Sequence, residues 1–138
     1  MKIDNRIPIT NPMGFEIEFL PPNRLEIHAP LNPNVNDKGN VFAGSIYSSL
    51  VLAPWYLLSE ITQAQGVECK ISVFYSTVKF RSPVEKDFTA YCEISDCERI
   101  IVKLRENGHY KFSASAYIEG DDRNHACTFQ GKYFLRVT

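Results

Sequence analysis

"NVNDKGNVFAGSIYSSLVLAPWYLLSEI", from Asn34 to Ile61, runs from a polar, glycine-bearing loop straight into the most apolar part of the chain. From about Ala43 to Ala64 the apolar residues fall nearly all round a helical circumference, and the stretch is much longer than a typical strand. That pattern predicts a largely buried helix. Pro54, which lacks an N–H and crowds the preceding turn, should bend it. A helix apolar on every side needs cover on every side, so the segments around it decide the architecture.

Upstream, "GFEIEFL" alternates Phe15, Ile17 and Phe19 against Glu16 and Glu18. "PPN" then turns the chain into "RLEIHA", where Leu25 and Ile27 alternate with Arg24, Glu26 and His28; the pair reads as a half-buried hairpin. Pro30 to Asn40 is crowded with the turn formers Asn32, Pro33, Asn34, Asn36, Asp37 and Gly39. Downstream, "VECKISVFYSTVKFRSPV" is rich in β-branched and aromatic residues and predicts a long strand, bulged near Ser76 and Thr77 and closed by Pro83. "DFTAYCEI" follows as its neighbour, with Phe88, Ala90, Cys92 and Ile94 on one face. In "SDCERIIVKLRENG" the period becomes helical: Ser95 and Glu98 fit a capping box, and Gly108 can end the helix. "HYKFSASAYIEG" and "ACTFQGKYFLRV" alternate again, with "GDDRN" as their turn.

A hairpin, a long apolar helix and then mostly antiparallel strands is an α+β pattern, and burying that helix requires a curved antiparallel sheet wrapped around it. Such an arrangement is a hotdog fold. The 138 residues, 44% hydrophobic and 22% charged, suit one domain spanning 1–138. A formal charge of -1 with mixed acids and bases disfavours nucleic acid and anionic membranes as partners. Cys69, Cys92, Cys97 and Cys127 show no CxxC pair and no metal-ligand spacing, so buried reduced thiols are expected rather than zinc. The N-terminus lacks a signal-type apolar region, and Ile46 to Leu58 is too short and interrupted to span a bilayer; both imply a cytoplasmic protein.

The stretch "APLNPNVNDKGNVFAGSIYSSL", followed by the "VKFRSPV" strand, resembles the hotdog thioesterase superfamily. More narrowly, it is similar to the thioesterase domain that some bacteria fuse behind a GNAT acetyltransferase and others make alone; the standalone form is expected here. The resemblance implies a homodimer or dimer of dimers with active sites between subunits. It also implies an acyl group carried by coenzyme A or acyl carrier protein, with no cofactor beyond that carrier. Members of the narrower group also include malonyl-acyl carrier protein decarboxylases, which sets a second reaction beside hydrolysis.

Both reactions place negative charge on the thioester carbonyl oxygen, so fixed donors are required. The first-turn N–H groups of a helix are unpaired and sit at its positive end, which makes Ala43, Gly44 and Ser45 candidates. Asn36 can add a neutral amide donor from the loop, and the resemblance assigns the functional asparagine to it. Many relatives of this type carry a carboxylate about two turns into the helix. Here that neighbourhood is Ser49, Leu50 and Val51, so Asp37 is the candidate to position water. Decarboxylation needs no base, and the missing carboxylate favours it. A non-catalytic acyl-binding module is the third reading.

Tyr47, one turn beyond Gly44, should face the site, and Ser48 beside it joins the substrate-binding candidates. "GSIYS" is not a GxSxG elbow, and His28, His109 and His125 lie on separate predicted elements, which argues against a serine triad. Lys79, Arg81 and Lys86 flank the end of the long strand, where they can meet carrier phosphates or the acidic surface of a carrier protein.

Overall fold

The computed structural model describes residues 1–121 and 124–138; part of the expected "GDDRN" turn lies outside them. The predicted hairpin forms as β2 (Glu16–Leu20) and β3 (Arg24–Ala29), preceded by a two-residue strand, β1 (Lys2–Ile3), that the periodicity did not predict. Helix α1 (Ala43–Ala64) has the expected bounds and continues across Pro54 as one element. After it come β4 (Cys69–Phe80), β5 (Phe88–Glu93), helix α2 (Cys97–Asn107), β6 (His109–Glu119) and β7 (His125–Val137).

The strands form one sheet in the order β1-β2-β3-β5-β6-β7-β4, antiparallel at every pairing. Helix α1 contacts β3, β5, β6, β7 and β4, so the sheet curls around it. Leu50, Ala53, Tyr56, Leu57 and Leu58 are fully buried. Removing a leucine side chain of this kind from water stabilises the fold by about 1.5–3 kcal/mol. Tyr133 on β7 is equally buried, and its hydroxyl donates to the Val51 carbonyl at 2.6 Å. The alternation read from sequence is realised as Phe88, Ala90 and Cys92 on β5, Ala114, Ala116 and Ile118 on β6, and Cys127, Phe129, Tyr133 and Leu135 on β7, all buried.

Three local expectations are corrected. β5 is not the neighbour of β4: it pairs with β3 and β6, while β4 crosses to the far edge of the sheet and pairs with β7. The irregularity in β4 falls between Val73 and Tyr75, not at Ser76 and Thr77: Val73 opposes Tyr133, Tyr75 opposes Lys132, and Phe74 is left without a partner on β7. That extra residue switches the phase of the strand. Ile71 before it and Ser76 and Val78 after it are half-buried, whereas Thr77, Lys79 and Arg81 are exposed. The capping box also fails. Helix α2 begins at Cys97 with Asp96 as N-cap and no side-chain cap bond, so Ser95 stands one residue too early. Gly108 does end the helix, in the left-handed conformation at φ 76°, with its N–H on the Leu104 carbonyl.

Candidate active site

The loop before α1 is a small folded unit. Val35 bridges Val41, the Phe42 N–H donates to the Asn34 carbonyl at 2.7 Å, and the Asn36 N–H donates to the Asn40 carbonyl at 2.7 Å. The loop is thereby stapled to the segment that leads into the helix. Asn34 holds it from below: its buried amide nitrogen donates to the Met13 and Pro30 carbonyls at 2.8 and 2.7 Å, while its Oδ1 is buried with no partner among the described residues.

Asn36 uses only the oxygen of its side-chain amide. Its Oδ1 accepts from the N–H groups of Lys38 at 2.8 Å and Asn40 at 3.0 Å, which makes the Asx turn that the residue type favours. Both partners are donors, so the oxygen must face them and the orientation of the amide is set. The two N–H bonds of its Nδ2 have no acceptor among the described residues. The structural and the functional uses of this residue are therefore compatible. Asp37 beside it is exposed and makes no hydrogen bond or ion pair among the described residues.

At the helix N-terminus the donors narrow. The N–H groups of Ser45 and Ile46 both donate to the Phe42 carbonyl, at 3.0 and 3.2 Å, so Ser45 does not offer its N–H and sits buried. Those of Ala43 and Gly44 have no acceptor among the described residues and lie at the positive end of a 22-residue helix. Gly44 also has a packing neighbour that the sequence did not suggest. A Cβ there would run into the ring of Phe42, a residue 56% exposed, so the glycine makes room for an aromatic cover over the first turn. A ligand reaching Gly44 displaces that ring.

Tyr47 turns toward β4 and β7. Its hydroxyl shares a 2.7 Å hydrogen bond with Ser76 Oγ, and its ring meets Phe129 edge-on at 6.0 Å. Ser48 Oγ donates to the Gly44 carbonyl at 2.8 Å and Ser49 Oγ to the Ile46 carbonyl at 2.8 Å, which leaves neither poised as a nucleophile. The Ser49–Val51 neighbourhood carries no carboxylate. Lys79 and Arg81 face outward, on the other side of β4 from Ser76, and Lys86 pairs with Asp121 at 2.8 Å. A cleft of about 610 Å³ between Phe19, Ile61, Cys97 and Ile101 lies at the opposite end of α1 and holds none of the candidate residues, so volume alone does not locate the site.

The four thiols are free. Burial pushes Cys92 up to about 12 and Cys127 up to about 11, and burial, with Cys92 and Tyr47 as lesser causes, raises the Tyr133 phenol far above its ordinary value. None of these is a nucleophile near neutral pH. The raised thiol values have a consequence for stability. Above the ordinary thiol pKa of about 9, the unfolded chain releases protons that the folded chain keeps, so stability must fall as pH rises. Well below pH 9 the two thiols contribute almost no slope. From pH 9 toward 11 each contributes a loss of up to about 1.4 kcal/mol per pH unit. Urea denaturation between pH 8 and 10.5 should show this decline, and it should be shallower in Cys92→Ala; parallel curves for the two proteins would refute the account.

Among the described residues one group can gather ligand atoms for a metal ion: Glu18, Glu26 and His28, within 4.8 Å of one another on the hairpin. His28 Nε2 lies 3.3 Å from Glu26 and 3.6 Å from Glu18, with Nδ1 on Thr89 Oγ1 at 3.0 Å. The hairpin alternation placed these three side chains on one face, but their convergence went unread in the sequence.

A long helix inside a curved antiparallel sheet is the hotdog fold. The family described as "Putative thioesterase (yiiD_Cterm)" matches residues 1–137, and the chain belongs to it. Among solved structures, a Chlorobaculum tepidum protein of unknown function is 28% identical with a TM-score of 0.90, over 96% of this chain and 88% of that one. A structure described as a putative thioesterase from Shewanella oneidensis is 23% identical with a TM-score of 0.83, over 96% and 90%. A thioesterase family protein from Silicibacter pomeroyi is 20% identical with a TM-score of 0.72, over 96% and 92%. Among curated proteins, none matches the sequence. No helix of the described residues is long and apolar enough to cross a membrane.

Proposed function

We propose that the protein hydrolyses acyl thioesters carried on coenzyme A or acyl carrier protein, with the thioester carbonyl between the Asn36 amide and the N–H groups of Ala43 and Gly44. The observation that carries this reading is the state of the Asn36 amide: the turn consumes its oxygen and leaves two N–H donors unspent in the loop that leads into an uncapped helix N-terminus. Those donors stabilise the oxyanion formed when water adds to the carbonyl carbon. Asp37, exposed on the same turn, takes the proton of that water, and the proton passes to the departing sulfur as the carbon–sulfur bond breaks. Tyr47 and Ser48 border the acyl group.

A second copy of the chain completes the site in this proposal. β4 ends the sheet as a twelve-residue edge, with Val73, Phe74, Tyr75 and Phe80 each at least 39% exposed along it. Unpaired edges with apolar side chains call for cover, and Tyr47, bonded to Ser76, sits directly behind this one.

Decarboxylation of a malonyl thioester is the second reading, favoured by the absence of a carboxylate at Ser49 to Val51. The same donors would hold the enolate left when the carbon–carbon bond breaks and carbon dioxide departs, and a proton from water on the α-carbon then gives the acetyl thioester. Incubating the protein with acyl and malonyl thioesters of both carriers, followed by mass spectrometry, separates the readings. Free thiol is the expected product. Carbon dioxide and an acetyl thioester without free thiol would replace hydrolysis by decarboxylation, and substrates returned intact across all chain lengths would leave only acyl binding.

A further inference from the structure

The outward-facing residues of the N-terminal hairpin bring two carboxylates and an imidazole together. Ile17, Phe19, Leu25 and Ile27 point into the core, and Glu18, Glu26 and His28 alternate with them on the opposite face of the sheet. The register places Glu18 directly across from Glu26, and His28 follows Glu26 two residues along β3. Like charges directly opposed on neighbouring strands destabilise a sheet, and a cation between them removes that cost. Arg24 approaches Glu26 Oε2 only to 3.8 Å, and Lys2 pairs with Glu16 instead, at 3.5 Å. His28 is held from outside the pair: its Nδ1 lies 3.0 Å from Oγ1 of Thr89, its cross-strand partner on β5. Nε2 faces the carboxylates, 3.3 Å from Glu26 Oε1 and 3.6 Å from Glu18 Oε1. Those separations are too long for charge-assisted hydrogen bonds, which close to about 2.7–2.9 Å. They lie close to the edge of a coordination tetrahedron, since bonds of about 2.0–2.1 Å to zinc set neighbouring ligand atoms about 3.3–3.4 Å apart.

We propose that Glu18, Glu26 and His28 bind one zinc ion, with water as the fourth ligand. One imidazole nitrogen with two carboxylate oxygens is a donor set suited to zinc, whereas calcium takes about six to eight oxygens, more than these side chains provide. All three ligands stand on regular strands, so the sheet's backbone hydrogen bonds fix their spacing before any ion arrives. Thr89 is the positioning residue. With the metal on Nε2, Nδ1 carries the proton and donates it to the Thr89 hydroxyl, which fixes the ring's tautomer and orientation. The ion ties β2 to β3 and, through His28 and Thr89, to β5. It lies across the sheet from the buried helix, so its role is structural and the proposal stands apart from the thioester reading.

Zinc chloride titrated into chelator-treated protein tests the site. Calorimetry should show one saturable site per chain, and the bound ion should raise the melting temperature. Thr89→Val, which touches only the support of the ring, should weaken binding by about tenfold, and Glu18→Gln and His28→Gln each by about a hundredfold or more. His125→Gln, which changes a histidine outside the group, should bind as wild type does. Glu18→Gln also relieves the opposed charges, so without metal it should melt no lower than wild type, which shows that it is folded. Cobalt in place of zinc should give the visible spectrum of a four-coordinate nitrogen and oxygen site. A near-ultraviolet sulfur-to-metal band would put the ion on the half-buried thiols of Cys69 or Cys97 and overturn the proposal. Equal affinity in wild type, Glu18→Gln and His28→Gln, or uptake that never saturates, as of an adventitious ion only, would overturn it as well.

Discussion

Asn36→Asp should leave the fold intact and remove most of the thioester turnover. An aspartate keeps the side-chain oxygen that accepts from the Lys38 and Asn40 N–H groups, so the Asx turn survives. What it loses is the amide N–H pair, and it gains a negative charge where the reaction develops another. Loss of one such donor from an oxyanion site lowers the rate by about 10²–10³-fold, and the added charge acts in the same direction. Asn36→Ala removes the turn as well, at a further cost of about 1–2 kcal/mol in stability for two lost hydrogen bonds. Comparing kcat on acyl-coenzyme A with the melting temperature of both variants separates the two tasks. If the aspartate variant keeps turnover within about threefold of wild type, the amide is not the donor and Asn36 is only a turn residue.

The largest loss of stability is expected from Tyr56→Ala. Its ring is fully buried, meets Trp55 edge-on at 5.0 Å and lies under the Arg6 guanidinium at 5.2 Å. Its hydroxyl accepts from the Arg6 N–H at 2.9 Å and donates to Asn5 Oδ1 at 3.1 Å, which ties the N-terminal segment to the middle of α1. Deleting a buried aromatic side chain costs about 3–5 kcal/mol, a large part of the ~5–15 kcal/mol that keeps a domain folded. Tyr56→Phe keeps the ring and loses only the hydroxyl bonds, for about 1–2 kcal/mol. Urea denaturation should rank wild type, Phe and Ala in that order. Equal losses in the two variants would mean that the hydroxyl network, not core packing, is what Tyr56 supplies.

The helix, the hairpin and the strand faces were legible because each depends on periodicity within one segment. Residues Ala43 to Ala64 are apolar nearly all round, and because the rest of the chain reads mostly as strands, a surrounding sheet is the cover it can supply. Asn36 was legible as a turn residue, and the family resemblance made it the candidate donor. That its oxygen is consumed while its N–H pair stays unspent was not legible, since it depends on which atoms the Lys38 and Asn40 N–H groups reach. Among the helix donors, Ser45 looked equivalent to Ala43 and Gly44 until the Phe42 carbonyl was placed.

The outer face of β4 shows most clearly where local reading ends. Serine and threonine at 76 and 77 looked like the place for a bulge, because polar residues interrupt the apolar alternation there. Pairing with β7 puts it at Phe74 instead, and Ser76 proves to be the inward partner of Tyr47. The sequence by itself determined that this protein has a buried helix inside an antiparallel sheet, with a turn-rich loop at the helix start, because burial and backbone preference act within each segment. Only the tertiary structure decided which faces of β4 the cations and Ser76 occupy and which donors remain unspent, because register and hydrogen-bond partners belong to pairs of segments.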